Sequence, residues 1–254
     1  MYYYIFDPKK CKKKTQVEAI KDQLAHIGIS GEFTYVTGVQ SASELAEIGL
    51  RKKYSTIVAV GSDDIINQVA DKMVGKPEAM GIIPLEASAE IENVIGVRNP
   101  RDAIDVLRFR RIKEINLGMT GNRRHFITSA ELELKKSTEI TIEFKGYLVQ
   151  AKVSKMTISN IEPNVKKPKP EYLDVTIQSD IQHENGILEK ISGLFTLNKI
   201  LEKNISTFRA RSMRIFTNKS VFITSGGSVI SKTPQYIEST DEKLRLIVGK
   251  HIED

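Results

Sequence analysis

Residues 56–71, TIVAVGSDDIINQVAD, constrain the fold more than any other stretch of the chain. The unbroken apolar run before Gly61 is the signature of a strand buried on both faces, as in the interior of a parallel sheet. A tight turn, Gly61-Ser62-Asp63-Asp64, leads into the apolar spacing of a helix. Strand, turn and helix in that order form the unit on which many α/β proteins hold phosphate, because the amides and the dipole of the helix N-terminus attract anions. Such turns usually carry two or three glycines. This one carries a single glycine and two carboxylates.

The surrounding hundred residues repeat the alternation. YYYIF reads as a strand, and the next helix places Val17, Ile20, Leu24 and Ile27 on one face. FTYVT follows as a strand, and Ser41 with Glu44 has capping-box spacing ahead of a second helix, ELAEIGLRKKY. INQVADKMV gives a third helix and AMGIIPL a fourth strand. The series predicts an open, doubly wound, Rossmann-like parallel sheet with ligands at the carboxyl ends of its strands.

After about residue 112 the texture changes to short β-branched and alternating runs, among them RHFITSAELELK, YLDVTIQS, FRARSMRIF, SVFITSGGSVIS, TPQYIES and KLRLIVG. One helical stretch, ILEKISGLFTLNKIL, interrupts them. Strands at this density predict an antiparallel β-sandwich. The expected organisation is an α/β nucleotide-binding-like domain over residues 1–111 and an all-β, lipid- or substrate-side domain over 112–254.

No apolar run reaches membrane-span length, and the N-terminal MYYYIFDPKKCKKK is too short in apolar residues for a signal peptide. The expectation is a cytoplasmic protein, with peripheral association at the inner face of the membrane left open by a net charge of +6. The basic runs KKCKKK and KKPKP lack interleaved aromatics on a helical face, so nucleic acid is not the expected partner. The single cysteine, Cys11, excludes an internal disulfide. His26, His125, His183 and His251 show no metal-ligand spacing; His26 reads as a surface residue near a helix end and His125 as structural.

On these motifs the chain resembles the diacylglycerol kinase catalytic domain family, in the bacterial lipid kinase form related to sphingosine kinases and, more distantly, NAD kinases. The resemblance runs from Tyr3 to about Gly118 almost without gaps and more loosely to Val248. The family's Gly-Gly-Asp-Gly-Thr, with an Asn two residues on, corresponds to Gly61, Ser62, Asp63, Asp64 and Ile65, with Asn67 following. Its Ile-Pro-Leu-Gly-Thr corresponds to Ile83, Pro84, Leu85, Glu86 and Ala87, with Ser88 next. Its Asn-Pro at the end of the first strand is Asp7-Pro8, and its Asp-Leu-Gly is Asn116-Leu117-Gly118. The Asp-Gly-Glu whose Asp assists deprotonation of the lipid hydroxyl falls on Ser225-Gly226-Gly227.

The resemblance implies nucleotide contacts at Gly61, Ser62, Asp63, Asp64, Asn67, Glu86, Ala87 and Ser88, with ATP and Mg²⁺ as cofactors of an active enzyme and none otherwise. It also implies a lipid substrate and the option of a homodimer formed through the β domain. Framework residues match while the chemistry residues differ. Ser225 and Gly227 stand at the family's base position, and neither is a base near neutral pH without an activator. Carboxylates at 63, 64 and 86 repel polyphosphate by roughly 4 kcal/mol per pair of charges about 4 Å apart at an effective dielectric of 20. Held around Mg²⁺, the same three would instead be oxygen ligands; the plainer reading of Asp63-Asp64 is a turn former. The lysines at 9, 10, 12, 13 and 14 are further candidates to meet phosphate. The leading expectation is a non-catalytic or atypical lipid-kinase-like protein that binds nucleotide, lipid or a protein in the cleft between its domains. The alternative is an active ATP- and Mg-dependent lipid kinase, and a basic nucleic-acid-binding protein is a third class.

Overall fold

The computed structural model describes residues 1–8, 14–97, 99–160, 171–179 and 205–250. The helix expected over ILEKISGLFTLNKIL, Cys11, the lysines at 9, 10, 12 and 13, His183 and His251 lie outside the described residues.

The chain forms two compact units. The first begins with β1 (Tyr2–Phe6), α1 (Lys14–His26), β2 (Gly31–Tyr35), α2 (Ala42–Arg51), β3 (Thr56–Gly61), α3 (Asp63–Met73) and β4 (Ala79–Pro84). Two more helices, α4 (Ala89–Ile95) and α5 (Pro100–Phe109), lead to β5 (Ile112–Thr120). β1 pairs in parallel with both β2 and β3, and β3 pairs in parallel with β4, giving the order 2-1-3-4. α1 packs against α5 and α2 against α3, as a doubly wound sheet requires. Strand order reverses between β1 and β3, the place where such sheets take ligands. Every residue of β3 and β4 is buried, which is why these segments read as unbroken apolar runs rather than alternating ones.

The helices follow their sequence signals. Val17, Ile20 and Leu24 of α1 are buried. α2 starts with a full capping box: Ser41 Oγ accepts from the Glu44 amide while the Ser41 amide donates to Glu44 Oε2 at 2.8 Å. α5 has Asn99 as N-cap and Pro100 in its first turn, and buries Ala103, Ile104 and Leu107. Close packing of helix on sheet uses glycine. A Cβ on Gly81 would lie 2.4 Å from Leu107 Cδ2, and one on Gly49 would lie 2.7 Å from both Tyr3 Cδ1 and Ile57 Cδ1.

The second unit is antiparallel. Its strands are β7 (Ser129–Leu132), β8 (Thr138–Phe144), β9 (Tyr147–Ser159), β10 (Leu173–Ser179), β11 (Ile205–Ala210), β12 (Ser212–Thr217), β13 (Phe222–Ser225), β14 (Ser228–Lys232) and most of β15 (Gln235–Ile247). β9 organises it: Tyr147–Val153 pairs with β8, whereas the Val153–Ser159 half pairs with β7 and β10. Phe144 and Phe208 stack at 4.8 Å between ring centroids. The order α/β then antiparallel β is thus as expected.

The expected single boundary at 111/112 differs from the division that the structure shows. The first unit comprises Met1–Leu117, His125–Ile127 and Asp241–Asp254, and the second Gly118–Arg124 and Thr128–Thr240. The two runs TPQYIES and KLRLIVG are one strand, β15, whose last part pairs in parallel with β4 through Leu246 and Met80. The apolar alternation of KLRLIVG signals a strand but not which sheet it joins. That choice is tertiary, made by the open edge of β4 and by the bonds Gly75 N to Lys243 O (2.9 Å) and Gly249 N to Ile95 O (2.8 Å).

Gly81→Ala is expected to lower stability by about 1–3 kcal/mol, because the added methyl overpacks Leu107 in a buried layer. Gly38→Ala, with nothing within 4 Å of its Cβ, is the matched control. Urea unfolding of the two variants decides between them.

Candidate functional site at the carboxyl ends of β3 and β4

The turn after β3 is stitched to the strands on both sides. The Asp7 amide donates to Val60 O and the Leu85 amide donates to Gly61 O, each at 2.9 Å. Gly61 is required by close approach: a Cβ there would lie 2.8 Å from Asp7 Cβ. Ser62 is extended, at φ −84°, and caps a helix that already includes Asp63 and Asp64. Neither Ser62 nor Asp64 has left-handed backbone. Left-handed backbone falls instead in the second loop, on Glu86 at φ 55°, where the family carries glycine. A non-glycine residue held there costs roughly 1–2 kcal/mol.

The carboxylates of the turn have structural partners. Asp63 Oδ1 accepts the Ser88 amide at 2.7 Å, joining the N-terminus of α3 to the loop that starts α4. Asp64 Oδ1 accepts from Gln68 Nε2 at 3.0 Å, and Gln68 Oε1 in turn accepts the Ala42 amide at 3.2 Å. Both acids also sit in the first turn of α3, where the helix dipole stabilises a negative charge by about 0.3–1 kcal/mol. Negative charge at a phosphate-type turn is thus tolerated by the protein itself, with a helix terminus and a loop amide in the roles that phosphate would otherwise draw on.

The expected metal set does not form. Among the described residues no three His, Cys, Asp or Glu side chains are grouped so as to hold a metal ion. Asp63 and Asp64 are successive helical residues, so their side chains diverge by about 100°, and each turns to its own donor. The residues present do not fit a protein-built Mg²⁺ cage.

Asn67 lies where the family has its Asn, and it is buried. Its Oδ1 accepts the Ile127 amide at 3.0 Å. One turn on, Asp71 Oδ1 accepts the His125 amide at 2.8 Å and lies 2.9 Å from His125 Nδ1. This pair holds the short β6 (His125–Phe126) against α3. His125 is structural, as its sequence position suggested. The Asp71 partnership was missed; the i, i+4 spacing of Asn67 and Asp71 was its only trace. Asn116, at the family's Asp position, is buried and accepts from Lys243 Nζ at 2.5 Å. Ala87 packs against the core, and Ser88 caps α4, accepting the Ile91 amide at 3.3 Å. His26 is exposed in the last turn of α1.

Within the second unit, Ser225 and Ser228 are paired across a two-residue hairpin, with Gly226 and Gly227 at φ 58° and 83°. Positive φ at both central positions is the type I′ pattern. The buried Ser225 hydroxyl donates to Ser129 O at 2.5 Å. Ser225 and Gly227 therefore build a turn, and neither supplies a base. Glu238, which lies nearby in sequence, accepts from the Tyr236 hydroxyl at 2.9 Å. Asp241, the other acid near in sequence, belongs to the first unit.

The diacylglycerol kinase catalytic domain family matches residues 2–120. Three crystal structures of proteins from Bacillus anthracis str. Sterne share the fold. One, of a protein described as a diacylglycerol kinase, aligns at a TM-score of 0.76 and 17% identity. Two of a protein provisionally so described align at 0.79, with 17% and 16% identity. Each alignment covers 99% of this chain and 98% of the other. No curated protein sequence matches the chain.

Glu86→Gly is expected to leave stability within about 1 kcal/mol of the parent, relief of the left-handed strain offsetting the added unfolded-state entropy. Glu86→Val, β-branched at φ 55°, is expected to lose more than about 1 kcal/mol. Asn67→Leu leaves the Ile127 amide without its partner and should cost about 1–3 kcal/mol. Chemical denaturation of the three variants reads all of this out.

Proposed function

We propose that this chain, whose residues 2–120 carry the diacylglycerol kinase catalytic domain, is a non-catalytic or atypical protein of the lipid kinase family. It binds ATP weakly and transfers phosphate to a lipid hydroxyl slowly or not at all. The observation that carries this reading is Glu86, a carboxylate held at φ 55° where the family has glycine, in the loop whose Ser88 amide the Asp63 carboxylate already occupies. The loops after β3 and β4 are closed on each other by the Asp63 to Ser88 bond, where a polyphosphate would need their amides and would meet the added charge of Glu86.

Two further observations support it. Asp64 adds a second carboxylate where the family has glycine, and the Ser225-Gly226-Gly227 stretch is a hairpin rather than a strand bearing an acid. The family generally works with ATP and Mg²⁺; on this reading the chain requires neither. No helix among the described residues is long and apolar enough to cross a membrane. A cytoplasmic location, with peripheral contact to the inner face of the membrane, belongs to the same proposal.

Thermal unfolding and calorimetry with ATP, with and without Mg²⁺, test it. A ligand that binds only the native state stabilises it by RT ln(1 + [L]/Kd). With Kd at or above about 1 mM, about 1 mM ATP adds no more than about 0.4 kcal/mol, and that is the expected result. Stabilisation of about 2.7 kcal/mol, the value for a ligand at 100 times its Kd, would favour the active ATP-dependent lipid kinase, as would transfer of labelled phosphate to diacylglycerol. Glu86→Gly restores the family's glycine, keeps the Asp63 to Ser88 bond and removes the added charge. It is expected to raise ATP affinity at least about tenfold, since each 1.4 kcal/mol of repulsion removed is a factor of ten. Unchanged affinity would show that charge is not what limits binding.

A further inference from the structure

The amino ends of the strands in the first unit form a second surface, about 17 Å along β3 from the turn at Gly61. Met1 is there: its amino group donates to Ser55 Oγ at 3.0 Å, and Ser55 precedes β3. Arg110, just after α5, reaches the same place and donates from Nη2 to Ser55 O at 3.2 Å and from Nε to Thr56 Oγ1 at 3.4 Å. Around it run Arg108, Phe109 and Arg111, all exposed, in the sequence LRFRRIK. Lys250 places its ammonium 5.9 Å from the centre of the Phe109 ring. Lys53, two residues before Ser55, is exposed as well.

Two properties set this surface apart. The first is unbalanced charge. Arg108, Arg111 and Lys53 have no side-chain hydrogen bond or ion pair among the described residues, and Arg110 bonds only neutral oxygens. Of the acids at this end, Glu32 is paired with Lys52 at 2.6 Å, and Glu78, which precedes β4, Asp105 and Glu114 are in ion pairs with none of these cations among the described residues. The second is exposed apolar bulk amid that charge. Phe109 is 70% exposed and Met1 78%, although large apolar side chains near a buried core normally fold inward.

We propose that this surface docks onto an anionic lipid bilayer, with Phe109 and Met1 entering the headgroup region and the arginines facing the anionic heads. Charge complementarity selects the partner: basic side chains near an anionic membrane surface attract it individually and additively. Apolar side chains that a polyanion would leave wet gain burial in a bilayer. The Phe109 ring, moreover, already has one face covered by Lys250, which makes it a poor platform for stacking a nucleic-acid base. The surface lies at the opposite end of the strands from Gly61, so docking does not depend on whether nucleotide binds.

The test is flotation of the full chain with vesicles of phosphatidylcholine alone and of phosphatidylcholine with phosphatidylglycerol, at low and high salt. Binding is expected only with the anionic vesicles, and it should fall as salt shortens the screening length. Arg108→Ala with Arg111→Ala is expected to weaken that binding about 30-fold, at about tenfold for each 1.4 kcal/mol and about 1 kcal/mol for each charge near the surface. Phe109→Ser should weaken it as well. Both variants replace exposed side chains, and an unchanged melting temperature will confirm that they fold. Equal binding to neutral vesicles, or retained anionic binding in the double variant, would overturn the proposal. So would binding to arbitrary duplex DNA or RNA, lost in the same variants, with none to vesicles.

Discussion

The structure of the first unit turns on the hydrogen bonds that α3 sends out from its side chains. Asp63 takes the Ser88 amide, Gln68 the Ala42 amide, Asn67 the Ile127 amide and Asp71 the His125 amide. Ser88 and Ala42 stand where helices begin, and His125 and Ile127 lie in and just after the two-residue β6. A buried amide left without an acceptor costs about 1–3 kcal/mol, so one polar helix face fixes the positions of three other segments. The apolar residues of α3 do the remaining work against the sheet: Ile65, Ile66, Val69, Ala70 and Met73 are all buried.

That division gives the residues at motif positions a structural role of their own. Asn67 has a backbone to hold whatever the site binds. Gly61 has no room for a methyl group beside Asp7, and Pro84 ends a strand registered directly against Gly61. Glu86, by contrast, occupies a left-handed position that glycine fills without strain. At that position the fold tolerates a cost instead of imposing an identity.

Much of this was legible in the sequence. Buried parallel strands announce themselves as unbroken apolar runs, and the Ser41–Glu44 box marked a helix start that the structure reproduces atom by atom. α5 carries a signal too, Asn99-Pro100 ahead of Ala103, Ile104 and Leu107, but a faint one, since it sits at the change of texture between the units. The site was less legible. Carboxylates at 63 and 64 read most plainly as turn formers, but also as metal ligands or as repulsion, and only the direction of each side chain separates these. Directions depend on partners distant in sequence, Ser88 for Asp63 and His125 for Asp71, and no local pattern names them. The hairpin at Gly226-Gly227 was legible by contrast, since paired glycines between β-branched runs describe a turn by themselves.

The closing of the first sheet by the last part of β15 has a consequence for the order in which the chain takes shape during synthesis. Until Leu246 reaches Met80, the β4 edge of a parallel sheet stands without the strand that later covers it, and an open edge invites pairing with another chain. About 130 residues separate Leu117, where the first unit is left, from that closure. At bacterial and eukaryotic synthesis rates the interval lasts roughly 7–25 s. The half of the protein made first is therefore the half completed last, and its exposure to misassembly is set by the time the ribosome takes to deliver the other half.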